Sequence, residues 1–178
     1  MRRSQPSQFN AITKDENAII KEGKGDELWN DPKEKNKKRQ KDIDARWTKK
    51  NEVSVYGYKN HTKVDTVSKL ITTYTVSDAS VHDSQELANL LSKDDEGEEL
   101  HADSAYIGEN QEKAISECGM INKVHERGAR NKPLTDSQKE ADKEKSKVRV
   151  RVEQVFGFIK NSMSDLCVRS IGIRRAAT

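Results

Sequence analysis

Two carboxylates are candidates for chemistry because of the elements predicted to carry them. Asp103 follows a short predicted strand in ELHADSAYIG, and a strand end is where α/β folds place site residues. Glu153 falls on the most clearly predicted helix of the chain. If the two faced each other, they would supply the oxygen ligands that Mg²⁺ prefers, and the site could support phosphoryl chemistry.

Glu153 lies in a stripe of polar side chains along that helix. The stripe comprises Ser146, Arg149, Glu153 and Lys160. Their spacing places them on one side of the helix, so that the carboxylate is flanked by two cations. Spacing alone favours a simpler interpretation, an exposed face with helix ion pairs that contribute about 0.2–0.5 kcal/mol each. Asp103 has an equally simple alternative as a turn residue that satisfies backbone donors.

A third carboxylate is expected if the site performs two-metal chemistry. The other acidic candidates are Asp42, Asp44, Asp65, Asp78 and Asp83. None of them sits in a strong upstream strand, so the sequence does not reveal the bridging ligand. Asp83 follows His82, but a helix cap explains it more simply than an acid–base role.

The elements that must position these residues follow from hydrophobic periodicity. Alternation predicts a strand over VSVYGYKNHTKV, residues 53–64, and a second over LITTYTV, residues 70–76, which would place Leu70, Thr72, Tyr74 and Val76 on one face. The two strands should be antiparallel neighbours. Asp83 or Ser84 is expected to cap a helix that contains three leucines, and DDEGEE after it should be a solvated loop.

The second half of the chain predicts strand, turn and helix in sequence. A strand should end near Asp103, and a helix over about residues 109–117 should stop at Gly119. INKVHE predicts another short strand, and residues 127–133 form a basic loop. The long helix should cover about residues 136–163. Its apolar stripe comprises Val148, Val152, Val155, Phe156 and Ile159.

Composition limits the classes to which the chain can belong. Of its 178 residues 32% are hydrophobic, and the mean hydropathy of −1.00 indicates a small core. The 33 basic and 30 acidic side chains nearly balance, and the pI of about 8.7 permits a nucleic-acid partner. No apolar run approaches the length of a membrane span, and no signal core is present, so we expect a cytoplasmic protein without membrane contact. The isolated Cys118 and Cys167 indicate neither a disulfide framework nor a zinc site.

Five segments together resemble a known family. They are DARWTKKN, YGYKNHTKVD, YTVSDASVHDSQ, ELHADSAYIGE and RVRVEQVFGFIKNSM. In this order and spacing they resemble the DDE transposases of bacterial insertion sequences, of the family-five type, over about residues 10–175. The resemblance implies an RNase H-like fold, a mixed sheet flanked by helices, in which three carboxylates hold two Mg²⁺ ions for DNA cleavage and strand transfer. The implied partners are the DNA of transposon ends and target, with a possible homo-oligomer.

The resemblance also implies roles for particular residues. Asp103 matches the second catalytic Asp and Glu153 the catalytic Glu, both as metal ligands. The family pattern around that Glu is Tyr, two residues, Arg, three residues, Glu, six residues, Lys. Arg149 and Lys160 fit it as contacts to DNA phosphates, whereas Ser146 stands where Tyr is expected.

The resemblance further implies a truncated fold. The first catalytic Asp of the family lies on a strand that precedes SQFNAITKDENAIIKEG, and that strand is central in the sheet. We therefore expect residues 1–50 to be a charged, extended connector and residues 51–178 to be an incomplete catalytic domain. The missing central strand should leave the sheet in two halves and the chain with little activity of its own.

Three functions remain open at this level. The chain is a transposase by descent, in a partial or inactive copy. Alternatively it is a basic DNA-binding fragment that regulates a full-length transposase, or a remnant without a function. The DNA-binding fragment would contact phosphates through a set of basic side chains: Arg127, Arg130, Lys132, Arg149 and Lys160.

Overall fold

The computed structural model describes residues 3–4, 11–50, 52–128, 133–162 and 170–177. Its strands are β1 (Arg3–Ser4), β2 (Arg46–Lys50), β3 (Val53–Val64), β4 (Ile71–Asp78), β5 (Glu99–Leu100) and β6 (Ile121–Asn122). Its α-helices are α1 (Lys14–Lys21), α2 (Lys35–Gln40), α3 (Leu87–Leu90), α4 (Glu109–Glu117), α5 (Asp136–Ser162) and α6 (Ile173–Ala176). Short 3₁₀ helices cover Gly25–Glu27, Pro32–Glu34, Asp83–Glu86, Lys93–Asp95 and Ser104–Tyr106. The predicted mixed α/β class is confirmed.

The long strand β3 organises the larger sheet. β1 and β2 pair with it antiparallel, and β4 pairs with it as well. The Asp65 N–H donates to the Leu70 carbonyl at 2.9 Å, and the Ala79 N–H donates to the Gly57 carbonyl at 3.0 Å, so β3 and β4 form an antiparallel hairpin. β5 and β6 form a separate parallel pair. Both predicted hairpin strands are confirmed, although the face that carries Leu70 and Tyr74 is largely exposed.

The chain divides into two compact units. The first contains Met1–Asn60, Val76–Val81 and Ser162–Thr178, and the second contains His61–Thr75 and His82–Asn161. The boundary therefore passes through β3 and β4.

The core of the first unit draws heavily on the N-terminal segment. Its buried members are Ile12, Trp29, Ala45, Tyr56 and Tyr58. α1 begins with a capping box in which Thr13 and Glu16 accept from each other's backbone N–H groups, and this stabilises a short and highly charged helix. The segment expected to be an extended connector thus carries helices and core residues.

A buried carboxylate links three parts of the first unit. Asp42 is fully buried, and its Oδ1 accepts from the Tyr58 hydroxyl at 2.7 Å and from the Asp44 and Ala45 N–H groups. Its Oδ2 accepts from the Gly172 N–H at 3.4 Å. Burial, together with this hydrogen bond to Asp42, raises the pKa of Tyr58 far above its ordinary value. The carboxylate thus holds the turn before β2, strand β3 and the start of α6 together.

The second unit has its own smaller core. Leu87, Ile115 and Val124 are buried in it. α4 has the predicted bounds, and Gly119 follows it with a φ of +66°, a backbone conformation that glycine adopts without strain.

The expected cap of the leucine-containing helix was wrong. Neither Asp83 nor Ser84 caps it; His82 caps the 3₁₀ helix Asp83–Glu86 that leads into α3, and its Nδ1 accepts from the Ser84 N–H at 3.3 Å. The acidic stretch is exposed, as expected of a solvated loop, except at Asp95, which pairs with the Lys63 ammonium at 2.8 Å. Burial opposes ionisation of Asp95, but this ion pair and bonds from Ser92 outweigh it, so the pKa of Asp95 lies below its ordinary value.

Helix α5 agrees with its predicted bounds to within one residue. All five residues of its apolar stripe are partly buried, as the periodicity indicates. Along the described ranges no helix is both long and apolar enough to cross a membrane.

Candidate functional site

Asp103 lies beyond the end of a strand, but at a turn. β5 ends at Leu100, three residues earlier than the predicted strand, and Asp103 caps the 3₁₀ helix Ser104–Tyr106. Its Oδ1 accepts from the Ala105 N–H at 2.8 Å, and the residue is exposed. The turn role weighed from the sequence is therefore present, and it fixes the direction in which the carboxylate points.

A second carboxylate shares the surroundings of Asp103. Burial raises the pKa of Tyr106, and the negative charges of Asp83 and Asp103 add to this effect, so that the pKa is about 12. Both carboxylates therefore lie near one tyrosine hydroxyl. Sequence reasoning did not find this pairing, because nothing local in HDS connects it to HADSAY; only the fold brings the two 3₁₀ helices together.

Glu153 forms the ion pair that its spacing predicts. The Arg149 Nη2 and Nε donate to Glu153 Oε1 at 2.9 and 3.2 Å, and the Glu153 side chain is 59% exposed. Ser146 belongs to the same stripe, but its hydroxyl donates to the Asp142 carbonyl at 2.8 Å. The Lys160 side chain lies outside the described part of the structure. The arrangement matches the simple ion-pair interpretation and also orients Glu153.

Two half-buried residues that the sequence did not single out hold the first turns of α5 in place. The Lys145 ammonium donates to the Val124 carbonyl at 2.9 Å and pairs with Asp142 at 3.3 Å. Asp142 also accepts from the Glu126 N–H at 3.1 Å. Because β6 precedes these contacts directly, α5 is fixed to the segment that follows the parallel strand pair. The only sequence signal was their i,i+3 spacing, which also occurs in exposed ion pairs of the same helix.

A cleft of about 460 Å³ lies in the second unit. Its lining includes Tyr106, His125, Arg127, Leu134 and Gln138. Of the basic loop proposed for DNA, Arg127 is exposed at this cleft, whereas Arg130 and Lys132 lie outside the described residues. Tyr106 thus lines the cleft, and the charges of Asp83 and Asp103 oppose ionisation of its hydroxyl.

Metal ligation requires several donors together. Among the described residues, no three His, Cys, Asp or Glu side chains are grouped as they would be around an ion. The donors that are present near Tyr106 are carboxylates, which is the donor chemistry that Mg²⁺ prefers.

The chain is a mixed α/β protein with an Asp beyond a parallel strand and a Glu on a long helix, and comparison with known proteins assigns its class. A family model described as "Transposase DDE domain" matches residues 27–177. The chain belongs to this DDE transposase family. It is 33% identical over 119 residues to the transposase for insertion sequence element IS1106 of Neisseria meningitidis serogroup B, a match that covers 67% of this chain. The chain spans 41% of the length of that relative. No solved structure matches it.

Proposed function

We propose that the chain takes part in the transposition of an insertion sequence, as the Mg²⁺-dependent catalytic part of a DNA transposase. Its DNA partners would be the ends of the element and the target. The observation that carries the proposal is the family match over residues 27–177, which includes Asp103 and Glu153. The fold proposed with it is RNase H-like. Its support is the order of an antiparallel hairpin, a parallel strand pair and a long helix, in two separate sheets.

Asp103 and Glu153 would hold the metal ions. When bound, Mg²⁺ activates the attacking oxygen and stabilises the leaving oxygen of a phosphodiester. Asp103 suits this role because the Ala105 N–H engages only its Oδ1 and holds the carboxylate in one orientation. Arg149 similarly orients Glu153 through two hydrogen bonds to Oε1. A third carboxylate is part of the proposal, and the resemblance expects it on a strand before residues 7–23.

Arg149 and Lys160 would contact DNA phosphates. Arg149 offers a planar guanidinium that can bind a carboxylate and a phosphate through different N–H groups. Binding of phosphate beside Glu153 would bring the scissile strand to the carboxylate that the same arginine orients.

Nicking of supercoiled DNA that carries the ends of the insertion sequence tests the proposal. We expect Mg²⁺-dependent nicking, weak with the chain alone, that Asp103→Asn and Glu153→Gln abolish. Glu144→Gln is the matched control, because Glu144 also lies on α5 in an exposed ion pair, with Lys147. Nicking that survives both substitutions would refute the assignment of the site.

The weak activity expected of the chain alone has its own test. If the third carboxylate lies on the preceding strand, a longer chain that includes this strand should nick DNA much faster. Equal rates for both chains would contradict the proposed third ligand. Salt-sensitive DNA binding without nicking by either chain would support the alternative, a DNA-binding fragment that regulates a transposase.

A further inference from the structure

The cleft of about 460 Å³ in the second unit has the size of a small-molecule site. Ligand pockets in proteins measure roughly 300–1,000 Å³. The described residues that line the cleft all belong to the second unit, so the cleft is a feature of that unit alone. They include neither Asp103 nor Glu153, and the proposed metal chemistry therefore gives the cleft no role.

The walls of the cleft suit a flat ring. Tyr106 contributes an aromatic side chain, and Ile107, Val124 and Leu134 contribute apolar surface. Ile107 is 46% exposed, so part of this apolar surface is open to a ligand. Aromatic side chains stack on nucleobases because every base has a π-face. The cleft can therefore hold a planar heterocycle by its two faces.

Two charged side chains of opposite sign line the same cleft. Glu112 lies on α4 and Arg127 lies after β6, and both residues are exposed. Among the described residues, no group forms an ion pair or a hydrogen bond with either side chain. Glu117 on the same helix differs, because it pairs with Lys113 at 3.8 Å. Glu112 and Arg127 are thus available to a ligand that carries hydrogen-bond donors and a separate anionic group.

The chemistry of these two side chains selects the ligand. A carboxylate only accepts hydrogen bonds, so it binds best to an edge with two adjacent N–H donors. Guanine has such an edge in its N1–H and N2–H₂ groups, whereas adenine and cytosine place a ring-nitrogen acceptor beside their amino donor. An arginine guanidinium binds phosphate through paired N–H groups. We infer that the cleft binds a guanine nucleotide, with the base at Glu112 and Tyr106 and the phosphate at Arg127.

His125 contributes a polar atom at the wall of the cleft. Its Nε2 is buried and has no hydrogen bond to any group in the described ranges. Buried polar atoms in native proteins are nearly always hydrogen-bonded. A ribose hydroxyl both donates and accepts, so it can pair with this nitrogen in either tautomer of the ring. The sugar of a nucleotide, which joins base and phosphate, supplies such a hydroxyl.

Isothermal titration calorimetry of the full chain with GMP tests the inference. The measurement needs neither DNA nor Mg²⁺, so its result is independent of the nicking assay and of the proposed transposase function. We expect GMP to bind at least about tenfold more tightly than AMP, because only guanine offers two adjacent donors to Glu112. A surface that attracts phosphate by charge alone does not distinguish the two nucleotides. The absence of GMP binding, or equal affinity for GMP and AMP, would overturn the inference.

Glu112→Gln tests the contact to the base. Glutamine places an NH₂ donor where guanine also has donors, so GMP should bind at least about tenfold more weakly and its preference over AMP should disappear. Glu117→Gln is the matched control, since Glu117 is exposed on the same helix but does not line the cleft, and it should bind GMP like the wild type. Both positions are exposed, so the circular dichroism spectra should be unchanged. Wild-type affinity in Glu112→Gln would refute the assigned contact.

Arg127→Ala tests the contact to the phosphate. The substitution should weaken GMP at least about tenfold and leave the affinity for guanosine unchanged, because guanosine has no phosphate. Equal losses for GMP and guanosine would contradict a phosphate contact at Arg127. A guanine-containing single-stranded oligonucleotide distinguishes a free nucleotide from a base within DNA. If the oligonucleotide binds and GMP does not, the cleft is no site for a free nucleotide and the inference fails.

Discussion

Replacement of Asp42 by asparagine should destabilise the first unit by an amount that its hydrogen bonds allow us to estimate. Asparagine retains an oxygen for the Tyr58 hydroxyl, but its amide NH₂ then meets the Gly172 N–H, so that two donors face each other. A hydrogen bond to a charged group contributes about 1.5–3 kcal/mol, and an unsatisfied buried donor costs about 1–3 kcal/mol. Because a neutral amide costs less to bury than a carboxylate, we expect a net loss of about 2–4 kcal/mol.

Urea unfolding followed by tryptophan fluorescence measures this loss. Both tryptophans of the chain, Trp29 and Trp47, pack in or against the core that surrounds Asp42, so their emission reports on this unit. With an m-value of about 2 kcal/mol per molar, the midpoint should fall by roughly 1–2 M urea. Tyr58→Phe removes one donor only and should cost about 1–2 kcal/mol.

The control for this measurement is Asp15→Asn. Asp15 is exposed in the first turn of α1, and its replacement should change the free energy of unfolding by less than about 0.5 kcal/mol. If Asp42→Asn unfolds at the same urea concentration as Asp15→Asn, the carboxylate is not the stabilising centre that its contacts indicate. Hydrogen exchange at the Gly172 amide should accelerate in Asp42→Asn, and an unchanged rate there would also contradict the reasoning.

Three further predictions follow from single contacts. Lys63→Met should let the pKa of Asp95 rise toward its ordinary value of about 3.9. The wild type should therefore be more stable than the variant near neutral pH, and it should lose this advantage as the pH falls through the folded pKa of Asp95. A difference in unfolding free energy that does not depend on pH would contradict this. Asp83→Asn should lower the pKa of Tyr106 from about 12, because the substitution removes a charge that opposes ionisation of the hydroxyl while burial remains. Tyrosine ¹³C NMR measures this pKa, and the same value in the wild type and the variant would show that Asp83 is too distant to act. Gly119→Ala should cost about 1–2 kcal/mol in thermal unfolding because of the left-handed backbone at this position, and a neutral effect would argue against that conformation.

The sequence predicted those elements whose periodicity is strong over many residues. β3 was found from its length of twelve residues and its content of valine and tyrosine, and α5 from the apolar stripe over residues 148–159, so local pattern was sufficient to find both. α1 and α2 span eight and six residues in a highly charged segment. α1 is stabilised by its capping box, and Lys37 of α2 forms an ion pair with Glu16 of α1. Neither signal appears in a hydrophobic period.

The candidate site shows the same limit. The ion pair of Arg149 with Glu153 follows from helix geometry, and the sequence predicts it without the fold. The proximity of Asp83 to Asp103 depends on how two 3₁₀ helices pack, and no spacing in the sequence encodes it. His82 was missed as a cap because histidine is not among the preferred capping residues, although its ring nitrogen can accept the same hydrogen bond.

The hydrogen bond between Gly172 and Asp42 joins residues that are 130 positions apart. A ribosome that adds about 5–20 residues per second makes residue 172 many seconds after residue 42. During that interval Ile12, Trp29 and the tyrosines of β3 can already assemble, but the carboxylate they enclose still lacks one of its donors. Until residue 172 is made, water must occupy the place of the Gly172 N–H beside Asp42. During that time the growing chain is exposed to misfolding and proteolysis, and the hydrogen bond forms only when the α6 segment emerges.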